Sequence, residues 1–111
     1  MNMSALPVIP FQQIGLGVVF LVIAFPLLRS KIKRNSWYGF RFKKSFASEE
    51  LWLKINRFGA RKLCHGAIFL IVSGSLMFAF PSSWQAICFP LFLLGVVLFV
   101  TVSTYLYTRS L

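Results

Sequence analysis

The sequence predicts an all-α integral membrane protein with three transmembrane helices. Of its 111 residues, 58% are hydrophobic, and the mean hydropathy is +0.76, which is more apolar than a soluble domain that must cover its surface with polar side chains. Three long apolar runs stand out, at about residues 10–28, 63–80 and 86–107. At a rise of 1.5 Å per residue, each is close to the roughly 20 residues that cross a bilayer core. We therefore expect a single membrane domain over residues 1–111.

The first run is predicted to be a retained anchor. It is apolar apart from Gln12 and Gln13, no Lys or Arg precedes it, and basic Arg29 follows it. A secretory signal would instead begin with basic residues and end in a small-residue cleavage site.

The second and third runs are also predicted to span the membrane. The second is interrupted by His65 and two serines, and the third carries no charged residue. The connection between them, residues 81–85, has no Lys or Arg.

The distribution of charge predicts the orientation. Eleven of the 12 Lys and Arg residues lie between Arg29 and Lys62, and the last is Arg109. Because cytoplasmic loops carry the excess of basic residues, the connection 29–62 and the C-terminus should face the cytoplasm, with the N-terminus outside.

The connection 29–62 divides into a basic, aromatic-rich loop and an amphipathic helix. Ser48 is a good N-cap, and Glu49 and Glu50 suit the positive end of the helix dipole in the first turn. We expect a helix that begins at Ser48 and continues into the second span.

On a helical wheel, this helix separates into three faces. Lys54, Arg57 and Arg61 follow Glu50 on a polar stripe and are predicted to contact lipid phosphates of anionic headgroups. An apolar stripe is predicted to lie on lipid. It consists of Leu51, Ile55 and Phe58.

The third face combines a carboxylate, an indole, an amide and a glycine, and each of its polar groups needs a partner. Its members are Glu49, Trp52, Asn56 and Gly59. We expect the preceding loop to dock there.

The expected loop conformation is a clasp. Gly39 would permit a tight turn that lets Arg41 pair with Glu49, while Asn35 or the loop backbone satisfies Asn56. Trp37 and Trp52 are also interpreted as anchors at the membrane interface.

The composition offers little support for catalysis, a cofactor or a metal site. The chain has no Asp, its two Glu residues are adjacent, and its one His has no nucleophile or second ligand near it in the sequence. A net charge of +10 with interleaved aromatic residues is also typical of nucleic-acid binding, but membrane topology explains it more simply. We therefore expect neither enzymatic activity nor a nucleic-acid partner.

The connection resembles the cytoplasmic motif of the SdpI family. The resemblance rests on the patterns K-x-K-x-N-x-W-Y-G-F-R and S-E-E-x-W-x-x-x-N-R-x-G, which here comprise Lys31, Lys33, Asn35, Trp37, Tyr38, Gly39, Phe40 and Arg41, then Ser48, Glu49, Glu50, Trp52, Asn56, Arg57 and Gly59. Members of this family are bacterial membrane proteins named for immunity to a secreted toxin. The resemblance implies a location in the bacterial cytoplasmic membrane.

The resemblance also implies a function. We expect immunity to a membrane-active toxin peptide, with a signalling role in which the cytoplasmic loop recruits a regulator. Two alternatives stay open at this point: a structural or accessory subunit of a larger membrane complex, and a small carrier that works as an oligomer.

Overall fold

The computed structural model describes residues 8–111 as three long helices. These are α1 (Val8–Leu28), α2 (Glu49–Leu76) and α3 (Ser82–Ser110), with short 3-10 helices at Lys43–Phe46 and Met77–Ala79. All three long helices have the length and apolarity to cross a membrane, and no strand occurs in the described part of the chain. The predicted fold class and the three spans are confirmed. The N-terminal tail, whose side of the membrane was predicted, lies outside the described residues.

The central helix is α2, on which both α1 and α3 pack. Glycine permits the close approach on each side. A Cβ at Gly17 of α1 would lie 2.8 Å from the carbonyl oxygen of Ala67, and a Cβ at Gly66 would lie 2.5 Å from a methyl carbon of Val96 in α3. Small residues at such crossings let membrane helices gain contact area, because lipid supplies no hydrophobic drive between them.

The second helix begins at Glu49, before the second apolar run, as its capping residues predict. The Oγ of Ser48 accepts a hydrogen bond from the backbone N–H of Leu51 at 3.1 Å, and the helix then continues without a break to Leu76. The amphipathic segment and the second span are therefore one rigid rod, which couples the connection mechanically to the membrane.

The first helix ends at a left-handed residue, Ser30, with φ of 58°. The N–H of Lys31 bonds the carbonyl of Pro26, and the N–H of Ser30 bonds that of Leu27, which is the pattern of a Schellman motif. The Oγ of Ser30 also accepts a hydrogen bond from Nε of Arg57 in α2 at 3.2 Å. The chain is thus turned back toward α2 as it leaves α1.

A glutamine joins α1 to α2 within the apolar part of the bundle. Gln13 is fully buried, and its Nε2 donates to the carbonyl of Leu70 at 3.0 Å and to Oγ of Ser73 at 2.7 Å. The sequence showed Gln13 only as an interruption of an apolar run, whereas the structure makes it the polar link between the two helices.

We expect Gln13→Ala to lower the free energy of unfolding by about 1 kcal/mol, the usual range for a hydrogen bond between membrane helices. Gln12→Ala is the matched control, because Gln12 is the exposed neighbour. Thermal unfolding of the purified protein in detergent measures both. Equal stability of the two variants would contradict the interhelical role of Gln13.

Candidate functional site

The connection after α1 folds back onto the predicted mixed face of α2. We call residues 30–41 the docked loop. Three of the four residues on that face, Trp52, Asn56 and Gly59, are buried, while Glu49 at its start is exposed. The prediction that this face receives the preceding loop is confirmed.

The side chain of Asn56 binds the peptide groups on both sides of Phe40. Its Oδ1 accepts from the Phe40 N–H at 2.5 Å, and its Nδ2 donates to the Phe40 carbonyl at 3.3 Å and to the Trp52 carbonyl at 2.9 Å. Asn56 is 1% exposed, so water does not supply these bonds. A carboxamide has both the acceptor and the donors that this backbone needs.

Of the two partners predicted for Asn56, the loop backbone is the one observed. Asn35 acts inside the loop instead, where its Oδ1 accepts from the backbone N–H of Trp37 at 2.9 Å and of Tyr38 at 2.6 Å. This Asx turn holds the chain before Gly39, whose φ is 113°. A Cβ there would lie 2.5 Å from Oδ1 of Asn56. Gly39 therefore serves both the predicted turn and the close approach to Asn56.

Trp52 fastens the early part of the docked loop. Its indole is fully buried, its Nε1 donates to the carbonyl of Ile32 at 2.9 Å, and the ring of Phe46 packs 5.5 Å away. The interpretation of Trp52 as an interfacial anchor is wrong, because the loop covers the indole and separates it from lipid. Trp37, by contrast, is 77% exposed.

Phe40 is the apolar wedge of the docked loop. A Cβ at Gly59 would lie 2.5 Å from two carbons of its ring, and the ring packs against both apolar clusters of the bundle, one containing Ala24 and the other Val100. The sequence identified Phe40 as a residue of the family motif but did not predict its packing role. The available signal was a glycine on a helix face that was otherwise lined by large side chains.

The side chain of Tyr38 ties the docked loop to α1, at a point before the end of that helix. The Oη of Tyr38 donates to the carbonyl of Ile23 at 2.6 Å, and Ile23 lies five residues, or roughly 7 Å, before the end of the helix. Irregular backbone inside a membrane protein is tolerated only where protein covers it and satisfies its polar groups. Asn56 supplies that satisfaction at Phe40.

The predicted ion pair between Arg41 and Glu49 is wrong. Glu49 faces Arg34 instead, with Nε of Arg34 3.8 Å from Oε2 and the Arg34 N–H 3.2 Å from Oε1. Arg41 donates to the carbonyl of Ser36. Arg41 directly follows Phe40, which is fixed at Asn56. Asn56 lies seven residues, or roughly 10 Å along α2, from Glu49, so Arg41 is held away from that carboxylate. Since the side chains of Arg34 and Glu49 are 42% and 48% exposed, their pair contributes less than about 1 kcal/mol.

The prediction that the apolar stripe of α2 lies on lipid is wrong for Ile55 and Phe58, which contact protein, while Leu51 is half-buried. Ile55 is fully buried, and the ring of Phe58 stacks on Tyr107 of α3 with centroids 4.1 Å apart. The polar stripe does remain at the surface. Its three cations, Lys54, Arg57 and Arg61, are all exposed.

Hydrogen-bonding and cationic groups dominate this site. Within residues 8–111, no three His, Cys, Asp or Glu side chains come together as a metal-ligand group, and Cys64 and Cys88 are both free thiols. The inner side of the docked loop is held on α2 by hydrogen bonds, while its cations Lys33, Arg34 and Arg41 are exposed.

A family model described as the SdpI/YfhL protein family matches residues 31–108. The chain belongs to the SdpI/YfhL family. Searches of curated proteins and of solved structures gave no significant match. The family match begins immediately after Ser30 and includes nearly all of the docked loop, α2 and most of α3, so the contacts around Asn56 lie within the part that defines the family.

In this SdpI/YfhL protein, Asn56→Ala should lower the free energy of unfolding by about 2–3 kcal/mol, because it leaves the buried peptide groups of Phe40 without partners. Asn56→Asp should cost at least as much, since a carboxylate cannot donate to the carbonyls of Phe40 and Trp52. Lys43→Ala, at an exposed position before α2, is the control and should be nearly silent. Unfolding in detergent measures all three, and a loss below about 0.5 kcal/mol for Asn56→Ala would refute the assignment.

Proposed function

We propose that this protein confers immunity to a membrane-active toxin peptide in the bacterial cytoplasmic membrane, with the docked loop as its signalling surface. Membership of the SdpI/YfhL family supports the general assignment. The observation that carries the signalling role is Trp37, a large aromatic side chain held 77% exposed on a loop whose other face is fixed to α2.

The outer side of the docked loop has the composition of a recognition surface. Trp37 packs edge to face on Tyr38 with centroids 6.1 Å apart, and the exposed cations Lys33, Arg34 and Arg41 surround it in the sequence. Trp, Tyr and Arg are the residues most enriched at binding hot spots. Because the chain has 12 basic and two acidic side chains, a cytoplasmic regulator that binds here would present an acidic face.

The continuity of α2 supports a link between toxin and loop. Its C-terminal half packs among the spans, and its N-terminal half carries the contacts to Ile32 and Phe40. A toxin that binds the membrane part and shifts α2 would therefore shift the docked loop as well. The exposed cations Lys54, Arg57 and Arg61 would hold the same helix at anionic headgroups, to which each contributes about 1 kcal/mol near the surface.

The test compares a deletion strain with strains that carry variants on a plasmid. We expect the deletion to sensitise cells to a membrane-permeabilising peptide that their own species secretes, and the wild-type gene to restore growth. Trp37→Ala should abolish the transcriptional response to that peptide. Trp84→Ala should leave it intact, because this exposed indole lies at the opposite end of the bundle. Unchanged sensitivity of the deletion strain, together with co-purification in a stoichiometric membrane complex, would instead establish an accessory subunit.

The proposed orientation places the docked loop in the cytoplasm and the connection between α2 and α3 outside. In a background with Cys64→Ser and Cys88→Ser, we expect Ser83→Cys to react with an impermeant thiol reagent in intact cells. Ser36→Cys should react only after the cytoplasm is opened. Both positions are exposed, so access depends on the membrane alone, and the reverse pattern would overturn the orientation.

A further inference from the structure

A groove of about 430 Å³ lies between α2 and α3. It is lined mainly by apolar and aromatic side chains, among them Phe69, Phe92 and Phe99, with His65 as its polar member. The volume falls within the range of about 300–1,000 Å³ that is usual for small-ligand sites. Neither the docked loop nor α1 contributes a lining residue, so the groove is separate from the site described above.

The groove extends along α3. Its lining on α3 extends from Leu91 to Phe99, eight residues or roughly 12 Å. Gly95 opens its middle, since a Cβ at that position would meet no atom within 4 Å. Gly66 brings the two helices together behind it, because a Cβ there would lie 2.5 Å from Val96.

One end of the groove carries a cation. Nζ of Lys62 lies 5.9 Å from the ring centroid of Phe99 and 5.3 Å from that of Phe58. Phe99 lines the groove, so the ammonium group lies beside the end of the groove that Phe99 forms. Both acidic side chains of the protein are at the start of α2, at least 12 residues and roughly 18 Å away along the helix, and do not neutralise Lys62.

We propose that this groove is a binding site for one anionic phospholipid, with an acyl chain between α2 and α3 and the phosphate on Lys62. An apolar groove with a cation at one end has the same polarity as such a lipid, which has apolar acyl chains and an anionic headgroup. Charge complementarity favours this occupant over a second copy of the chain, which would bring a further net charge of +10 to a groove that already has Lys62 beside one end.

Lipid titration of the purified full-length protein tests the headgroup contact. Phosphatidylglycerol and phosphatidylcholine are added to the protein in detergent, and bound lipids are counted by native mass spectrometry. We expect one tightly held phosphatidylglycerol. Lys62→Gln should weaken it about fivefold, the effect of one cation at the membrane surface, without changing phosphatidylcholine binding. Lys43→Gln removes an exposed charge that is outside the groove lining and should change neither.

A second pair of variants tests the acyl-chain contact. Gly95→Leu should fill the groove and remove binding of both lipids, whereas Gly15→Leu makes the same change at another open position, on α1, and should retain it. Circular dichroism verifies that both variants are helical. The proposal is overturned if wild type does not distinguish the two headgroups, if Lys62→Gln binds like wild type, or if Gly95→Leu removes a protein dimer instead of a lipid.

Discussion

The arrangement of the docked loop depends on one interaction, the pairing of the Asn56 carboxamide with the peptide groups around Phe40. In a low-dielectric site an unpaired N–H and C=O would cost several kcal/mol, which is enough to expel irregular backbone from the bundle. With both groups satisfied, the Phe40 ring can occupy the space over Gly59 and contact all three helices. The hydrogen bonds of Asn56 therefore allow the Phe40 ring to pack inside the bundle.

The other loop contacts orient the chain for that pairing. Asn35 sets the turn, Trp52 holds the carbonyl of Ile32, and Tyr38 bonds the carbonyl of Ile23. Each is a neutral hydrogen bond, whereas the ion pair of this region, between Arg34 and Glu49, joins two exposed side chains. The docked loop is consequently held by neutral hydrogen bonds and by the packing of its side chains. The basic side chains remain at the surface for lipid or a partner.

Local features of the sequence predicted the spans, the helix start at Ser48 and the docking face, because hydropathy, capping and side-chain type act over a few residues. The partner of Glu49 could not be predicted in this way, since it depends on where the whole loop crosses α2. Hydropathy also failed for Ile55: in a membrane protein the lipid-facing and helix-facing surfaces are both apolar. Gln13 gave no periodic signal, because a single polar residue in a span has none.

Residue-resolved hydrogen exchange at the backbone amide of Phe40 tests the central claim most directly. The amide would be followed by NMR in detergent micelles, with that of Lys33 in the same loop as a reference. The account predicts strong protection of Phe40 in the wild type and a fall to the level of Lys33 in Asn56→Ala, while the amides of α3 stay protected. Exchange of the wild-type Phe40 amide as fast as that of Lys33 would contradict it.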